Sequence, residues 1–263
     1  MTDRTAVDKE TVLPDLSGRV VVVTGGGRGI GRAITLGMAA AGADVVPSAR
    51  TDTEVEAVAD EARKYGVEAQ GITADVTDGD DVEALIEDTV DELGGLDILV
   101  NNAGFNPDQA LGEPDGIDSK AVDAVLDVNL RGAFRTIRAA GPHLRDAKGA
   151  VVNVASVAGL VGLPRQHPYV ASKHGLVGMT KSMAMDWAPE VRVNAVAPGY
   201  VTTDLTEPLQ QNDNLRRSIL DRTPLDRFAD PVEIAGPTVF LASSAAGFIT
   251  GETLAADGGW TAR

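Results

Sequence analysis

The chain has 263 residues, 43% of them hydrophobic and 24% charged, which is the composition of a globular protein and not of a disordered or fibrous one. Its 23 basic and 39 acidic residues give a formal net charge of -16, which argues against nucleic acids and anionic membranes as partners because both require clustered positive charge. The chain has no cysteine, which excludes disulfides and cysteine-ligated zinc. No apolar run approaches the roughly 18 residues that span a bilayer, and the charged N-terminus is not a signal peptide, so we predict a cytoplasmic protein.

Short β-branched runs alternate with helical segments along the whole chain. We predict strands over residues 20–24, 43–48, 67–73, 96–101, 150–155, 191–197 and 253–256. Helices are predicted over residues 29–41, 52–65, 80–93, 119–140, 167–187 and 231–242, with a loop and helix over residues 205–221. Strands that alternate with helices of this length pair in parallel through right-handed crossovers. The pattern therefore predicts α/β architecture in a single doubly wound (Rossmann) domain, a mostly parallel sheet with helices on both faces, over residues 17–263 after an N-terminal extension over residues 1–16.

A glycine-rich turn, Thr24-Gly25-Gly26-Gly27-Arg28-Gly29-Ile30-Gly31, joins the first predicted strand to the first helix. Its spacing is not the common G-x-G-x-x-G, so the turn by itself is also compatible with a tight loop that binds nothing. Between a strand and a helix, however, backbone N–H groups and the helix dipole can bind a pyrophosphate. We predict a dinucleotide site with cofactor contacts at Gly25, Arg28, Gly29, Ile30 and Gly31.

The end of the second predicted strand indicates which dinucleotide is bound. NAD enzymes place an acidic residue there for the ribose 2′-hydroxyl, whereas an arginine accommodates the 2′-phosphate of NADP. Here the strand ends at Arg50, and no acid occurs before Asp52. Arg28 could contact the same phosphate, although Arg50 could also be a solvated surface charge. The sequence therefore favours NADP(H) over NAD(H).

A tyrosine and a lysine, Tyr169 and Lys173, lie one helical turn apart on the same predicted helix face. This spacing is common and by itself carries little information. Its chemical meaning is that a nearby cation lowers the tyrosine pKa from about 10. Such a tyrosine can exchange a proton with an alcohol or a ketone.

Several motifs in a fixed order resemble those of the short-chain dehydrogenase/reductases. They are Thr24-Gly25-x-x-x-Gly29-x-Gly31, Asp75, Asn101-Asn102-Ala103-Gly104, Asn129, Ser156, Tyr169-x-x-x-Lys173 and Pro198-Gly199. Each motif is weak alone, but their joint order is specific, and the similarity extends from Leu16 to Trp260. The resemblance implies hydride transfer between a nicotinamide and a secondary alcohol or ketone, without a metal.

The resemblance also implies roles for particular residues. Tyr169 would be the general acid/base, Ser156 would bind the substrate oxygen, Lys173 would bind the nicotinamide ribose and lower the Tyr169 pKa, and Asn129 would hold a water in a proton relay. Cofactor contacts are implied for Asp75, Val76, Asn102, Ala103, Gly104, Tyr169, Lys173, Pro198, Gly199, Val201 and Thr203. Taken singly, Asn129 and Asp75 could be caps and Ser156 a turn residue.

The substrate is indicated by the loops after Ser156 and Gly199. Segments 204–208, 222–228 and 257–262 resemble gluconate 5-dehydrogenase-like members, so a sugar or sugar acid is expected. A sugar acid requires a cation for its carboxylate. Arginines on or near these loops are Arg165, Arg216, Arg217 and Arg222.

Two alternatives stay open. A 3-oxoacyl-[acyl-carrier-protein] reductase has almost the same pattern, and Arg131, Arg135 and Arg138 could form a basic stripe for an acidic carrier protein, although Met185 stands where a basic docking residue is often found. A non-catalytic NADP(H)-sensing protein of the same fold typically lacks the tyrosine or the lysine, and this chain keeps both.

Assembly and environment can also be predicted. Small residues at Ala171 and Gly175 resemble the helix that builds the family's tetramer, so a homotetramer is expected. Of the 39 acids 26 are aspartate, and only 6 of the 23 bases are lysine. Such a solvated acidic surface is typical of halophilic proteins, whose self-repulsion salt screens.

Overall fold

The structure is a computed structural model that describes residues 13–262, so most of the extension predicted over residues 1–16 lies outside the described residues. The strands are β1 (Val20–Thr24), β2 (Asp44–Ala49), β3 (Ile72–Thr73), β4 (Ile98–Asn101), β5 (Ala150–Val154), β6 (Arg192–Pro198) and β7 (Thr253–Ala256). They form one sheet in the order β3-β2-β1-β4-β5-β6-β7. Every pair of neighbouring strands is parallel.

Helices connect the strands and cover both faces of the sheet. They are α1 (Gly29–Ala40), α2 (Asp52–Ala62), α3 (Gly79–Leu93), α4 (Ser119–Leu126), α5 (Ala133–Asp146), α6 (His167–Trp187), α7 (Glu207–Gln211), α8 (Asp213–Leu220) and α9 (Val232–Ala242). The predicted doubly wound α/β fold is therefore confirmed, whereas the domain boundary at residue 17 stays a prediction.

The valines of β1 explain why both faces are covered. Val21 belongs to a core cluster with Ile34 of α1, whereas its neighbour Val22 belongs to a second cluster with Leu85 of α3. Successive side chains of a strand point to opposite faces, so an unbroken run of valines requires an apolar layer on each side.

The third strand is shorter than predicted. Of residues 67–73, only Ile72–Thr73 form a strand, and Ala69 makes an isolated bridge to Val45. Gly71 lies between them against the backbone of α2, where an added β-carbon would come within 2.7 Å of the Val55 carbonyl carbon. The chain bends around this contact at the edge of the sheet, where β3 has a partner on one side only.

The helix predicted over residues 119–140 is interrupted. Six residues, Asp127–Gly132, form a π-helical turn between α4 and α5. Gly132 of this turn lies against Val76, whose Cγ2 would be 2.8 Å from an added β-carbon. Hydrophobic periodicity does not detect the extra residue of a π turn, because the apolar face continues on both sides of it.

The order of the strands shows which edge of the sheet can bind a ligand. β1 lies between β2 and β4, so connections leave it in opposite directions and a crevice opens at the carboxyl ends of β1 and β4. Ligands of doubly wound sheets bind at this topological switch point.

Candidate active site

The glycine loop follows β1 directly and depends on three of its glycines. Gly25 and Gly29 have φ values of +64° and +53°, which glycine adopts without strain. A β-carbon added to Gly31 would lie 1.9 Å from the carbonyl oxygen of Gly25 and 2.5 Å from Nδ2 of Asn102. The first turn of α1 therefore approaches the loop backbone more closely than any other residue type allows.

The start of α1 leaves backbone donors available. Its N-cap residue, Arg28, makes no side-chain capping hydrogen bond, and the first turn contains no acidic residue. Ile30 is partly buried against the core beneath. Uncapped N–H groups at a helix N-terminus attract an anionic phosphate, so the loop fits the pyrophosphate of a dinucleotide.

Arg50 lies at the end of β2, with its side chain exposed and its guanidinium 3.9 Å from the Asp75 carboxylate. The pKa of Asp75 is held below its ordinary value: partial burial opposes this, but hydrogen bonds from Thr77 and the charges of Arg50 and Arg135 outweigh it. Val76, the next residue, is buried against the π turn. Arg50, Asp75 and Val76, for which cofactor contacts are predicted, therefore lie together near the end of β2.

Arg28 is also exposed and pairs with Asp204 at 3.4 Å, not with a residue near Arg50. This ion pair connects the glycine loop to the segment after β6. There, Thr203 lies next to Gly29, with its Cγ2 3.5 Å from the position of an added β-carbon.

The run after β4 lies directly beside the glycine loop. The side-chain amide of Asn102 donates to the carbonyl oxygens of Thr24 and Gly25 at 3.1 and 3.0 Å. The backbone N–H groups of Asn102 and Ala103 donate to Oγ1 of Thr24 at 3.1 and 3.2 Å. Gly104, two residues after Asn102, lies beside the side chains of Asn129 and Lys173. Asn102 thus holds the ends of β1 and β4 together.

Tyr169 lies in the first turn of α6, and its phenol is near enough to Ser156, which follows β5, for the serine hydroxyl to lower the pKa of the phenol. Ser156 also caps the short turn after it, accepting from the N–H of Ala158 at 3.1 Å. Gly159 in that turn lies against α6, since an added β-carbon would be 2.7 Å from the carbonyl oxygen of Lys173. The missing side chain at Gly159 therefore lets the two hydroxyl groups meet.

Lys173 is buried, and its Nζ donates to the carbonyl oxygen of Val154 at 2.8 Å. Desolvation lowers the pKa of Lys173 to about 8. Its Nζ lies 5.7 Å from the centroid of the Tyr169 ring.

The direction of the Tyr169 pKa differs from the expectation. Burial raises the pKa of Tyr169 above its ordinary value, the hydrogen bond with Ser156 lowers it, and the phenol of Tyr200 raises it further. Lys173 is not among the groups that shift the pKa of Tyr169 in this structure, and its ammonium donates to the carbonyl oxygen of Val154. Burial disfavours the charged form of Tyr169, and here it outweighs the opposing effect of Ser156.

Asn129 lies in the π turn and faces the same region. Its side chain exchanges hydrogen bonds with the backbone of Phe105, at 2.9 and 3.0 Å, and donates to Oγ of Ser172 at 3.2 Å. Its Oδ1 and the Nζ of Lys173 both lie beside Gly104, 3.3 and 3.6 Å from the position of an added β-carbon. The structure thus brings Asn129 and Lys173 to one side of Gly104.

The segment after β6 completes the crevice. Gly199 follows Pro198 and lies against Asp257, whose Cα would be 2.9 Å from an added β-carbon. Val201 is buried and forms a bridge to Ala229. The resemblance implies cofactor contacts for Pro198, Gly199 and Val201, and these contacts stay a prediction.

A buried polar network beneath the site was missed by the sequence analysis. Asn101 of β4 donates to Asn153 of β5 at 2.9 Å and accepts from Thr136 of α5 at 2.6 Å, and Asn153 donates to Thr180 of α6 at 2.9 Å. The two central strands are thereby tied to helices on the same face. The sequence feature that could have predicted this network is the asparagine within each of two otherwise valine-rich buried strands, since buried amides require hydrogen-bond partners.

Two further features concern the described part of the chain. Between residues 13 and 262, no helix combines the length and apolar character that membrane spanning requires. Within the same range, His, Cys, Asp and Glu side chains do not form a group of three or more that could hold a metal ion.

The parallel sheet, its crevice and the glycine loop define a Rossmann-type fold of the dinucleotide-binding class. Residues 25–261 match the family described as enoyl-(acyl carrier protein) reductase. The chain belongs to the short-chain dehydrogenase/reductase family, and it is an oxidoreductase of the kind that acts on CH–OH groups with NAD(P).

Similar proteins differ in the activities for which they are named. The chain is 43% identical over 241 residues to a 3-oxoacyl-[acyl-carrier-protein] reductase of Staphylococcus aureus, covering 90% of this chain and 96% of that protein. The fold is similar to that of a gluconate 5-dehydrogenase from Burkholderia cenocepacia in complex with NADP and tartrate, with a TM-score of 0.90, 34% identity and coverage of 95% and 98% of the two chains. It is also similar to a short-chain type dehydrogenase/reductase from Mycobacterium marinum, with a TM-score of 0.89, 36% identity and the same coverage.

Proposed function

We propose that the protein is an NADP(H)-dependent oxidoreductase that interconverts a secondary alcohol and a ketone, with Tyr169 as general acid/base. The observation that carries the proposal is the meeting of Ser156 and Tyr169 above the buried Lys173, at the edge of the sheet that also holds the glycine loop. When bound, the nicotinamide would supply or accept the hydride.

The chain's own residues account for proton transfer. Burial keeps the phenol of Tyr169 protonated, so it can donate a proton to a ketone oxygen or, as phenolate, take one from an alcohol. Ser156 would hold the same oxygen by a hydrogen bond and thereby orient it toward the phenol. Asn129 and Ser172 fix the first turns of α6, because Ser172 donates to the Tyr169 carbonyl oxygen at 2.7 Å.

Replacement of the phenol tests this assignment. Tyr169→Phe removes the proton donor but keeps the ring, so we expect turnover to be lost while NADPH affinity, measured by fluorescence titration, is retained. Tyr65→Phe is a matched control, since Tyr65 is exposed and lies after α2. Near-normal kcat in Tyr169→Phe would remove Tyr169 from the mechanism, and an inactive wild type would favour the non-catalytic alternative.

The choice of NADP(H) is supported by two exposed arginines, Arg50 at the end of β2 and Arg28 in the glycine loop. Within residues 13–262, Arg28 and Arg50 form ion pairs with partly or fully exposed carboxylates, so a phosphate can replace those partners at little cost. A guanidinium binds phosphate bidentately. The solved gluconate 5-dehydrogenase with bound NADP is consistent with this choice.

We propose a sugar or sugar acid as the substrate, with 3-oxoacyl-[acyl-carrier-protein] as the second candidate. Names of structurally similar gluconate dehydrogenases favour the first, and names of sequence relatives favour the second. The expected docking stripe is largely neutralised: Arg131 and Arg135 both pair with Asp127, at 3.7 and 2.8 Å, and Arg138 pairs with Glu83 at 3.5 Å. An acidic carrier protein would therefore meet little net positive charge there.

A substrate screen distinguishes the candidates. NADPH consumption or formation is followed by absorbance with gluconate and its keto acids, polyols and acetoacetyl thioesters. Activity confined to the thioesters would establish the second candidate and reject the first.

The predicted homotetramer and cytoplasmic location are retained as proposals. Gly175, one of the small residues behind the tetramer prediction, serves a contact within the chain, because an added β-carbon would lie 2.9 Å from Cδ2 of Leu130. Light scattering at several salt concentrations tests the assembly, and a monomer throughout would reject it.

A further inference from the structure

Three aromatic side chains form a surface called here the aromatic wall (Tyr200, Phe228 and Trp260). The Tyr200 ring centroid lies 6.0 Å from that of Phe228 and 6.0 Å from that of Trp260, with interplanar angles of 71° and 60°. Such tilted and edge-to-face contacts are favourable. Tyr200 follows the end of β6 and Ser156 follows the end of the adjacent β5, so the wall stands at the same edge of the sheet as the candidate active site.

The backbone of the C-terminal segment fixes the position of Trp260. Gly258 and Gly259 have φ values of +64° and +87°, and β-carbons added to them would lie 2.9 Å from the side chains of Thr223 and Pro224. The Asp257 carboxylate accepts from the N–H of Gly259 at 2.9 Å. The segment thus fits closely against residues 223–225, which directly follow Arg222.

Arg222 lies over the aromatic wall. Its guanidinium carbon is 5.9 Å from the centroid of the Trp260 ring. Two other arginines of the substrate loops, Arg165 and Arg227, each pair with a glutamate. Within residues 13–262 Arg222 forms no such ion pair. In a chain with 39 acidic and only 23 basic residues, its positive charge is available to a carboxylate from outside.

A second donor in the wall also lacks a partner. The indole N–H of Trp260 is buried and has no hydrogen-bond acceptor within the described range. Buried donors are nearly always paired. A carboxylate beside Arg222 could accept from both groups after a movement of the indole, because the guanidinium lies over the ring that carries the N–H.

The aromatic wall also interacts electrostatically with Tyr169, the candidate catalytic residue. Burial raises the pKa of Tyr169, and the charge of an ionised Tyr200 adds to this rise. Burial likewise raises the pKa of Tyr200, and the charge of Arg222 opposes that rise. Electrostatic interactions of this kind require proximity. Tyr200 thus stands beside Trp260, which Arg222 contacts, at the sheet edge where the adjacent β5 leads to Ser156.

We propose that Arg222 and Trp260 form a carboxylate subsite for a small hydroxy acid or its oxo form, whose reacting carbon lies beside Tyr169 with Tyr200 between the two ends. The inference rests on the proposed function for the reaction at Tyr169, and it adds the group that selects the substrate. An acyl thioester has no carboxylate and would gain nothing from this subsite.

The test measures binding, so it does not depend on turnover. The affinity of D-gluconate for the protein saturated with NADP+ is measured by calorimetry in wild type, Arg222→Gln and Arg222→Lys. We expect gluconate affinity to fall by about tenfold or more in Arg222→Gln, because a charge-assisted hydrogen bond is lost, and to fall less in Arg222→Lys. Sorbitol, which lacks the carboxylate, should bind equally to wild type and Arg222→Gln.

The chain provides a matched control. Arg145 lies 5.7 Å from the Trp187 ring centroid at the far end of α6, so Arg145→Gln makes the same change at an arginine–tryptophan contact outside the site. A gluconate-dependent change in tryptophan fluorescence should disappear in Trp260→Phe and persist in Trp187→Phe. Unchanged NADPH affinity shows that each variant is folded.

The outcomes separate the two hypotheses. Equal gluconate affinity in wild type and Arg222→Gln, equal losses for gluconate and sorbitol, or no gluconate binding by wild type would overturn the subsite. Arg222-dependent binding of gluconate without any turnover of hydroxy acids by wild type would support the subsite and overturn the proposed reaction.

Discussion

Gly31→Ala perturbs the glycine loop at its tightest contact. The new β-carbon would lie 1.9 Å from the carbonyl oxygen of Gly25, whereas real contacts of this kind are not shorter than 3.0 Å. Loop and helix must therefore separate by about 1 Å or more, and overpacking against backbone costs about 1–3 kcal/mol of unfolding free energy. The displaced Gly25 carbonyl also accepts from Asn102, so the ends of β1 and β4 move apart.

We expect NADPH affinity of Gly31→Ala to fall by at least about tenfold, since misplacement of a binding group by about 1 Å has effects of up to a hundredfold. Fluorescence titration measures the affinity and urea unfolding the stability. Gly236→Ala is the control: Gly236 lies in α9 with open space around it, and alanine there should stabilise the helix by about 0.5–1 kcal/mol. Wild-type NADPH affinity in Gly31→Ala would refute the assignment of the loop.

Three further predictions concern charge. Arg50→Ala should weaken NADPH binding by about tenfold with little effect on NADH; equal affinities of the wild type for the two cofactors would contradict it. The pKa of Lys173 is about 8 in the folded protein against an ordinary 10.5, so between these pH values the folded state binds fewer protons than the unfolded state and the free energy of unfolding rises with pH. Urea unfolding of Lys173→Met at several pH values should lack this rise. An identical slope in wild type and variant would contradict the prediction. Molar KCl shortens the screening length to about 3 Å and should raise the melting temperature, because it weakens the repulsion among exposed acidic side chains. The seven acids of α3 are all exposed (Asp80, Asp81, Glu83, Glu87, Asp88, Asp91, Glu92). A melting temperature that does not rise with salt would reject salt adaptation.

Local patterns predicted most of the fold because they depend on contacts near in sequence. Strand β1, helix α6 and strand β7 begin and end where their patterns indicate. The π turn at Asp127–Gly132 and the short β3 were not predicted, because each results from a close contact with a residue distant in the chain.

The candidate site, like the fold, was predicted only in part from the sequence. The spacing of Tyr169 and Lys173 placed both on one helix face, but not where the ammonium points. The structure directs it to the Val154 carbonyl oxygen, and burial then raises the pKa of Tyr169 instead of lowering it. Desolvation depends on all surrounding atoms and has no signature in a four-residue spacing.

The sequence by itself determined the alternation of strands and helices, the glycine loop, the family's motifs and the excess of acidic charge, since each is a property of adjacent residues or of composition. Only the tertiary structure decided which of four candidate arginines lies against an aromatic surface, and that surface joins Tyr200, Phe228 and Trp260 from three separate segments. Such contacts arise when the carboxyl ends of β5, β6 and β7 converge at one edge of the sheet, and no local pattern specifies which side chains will meet there.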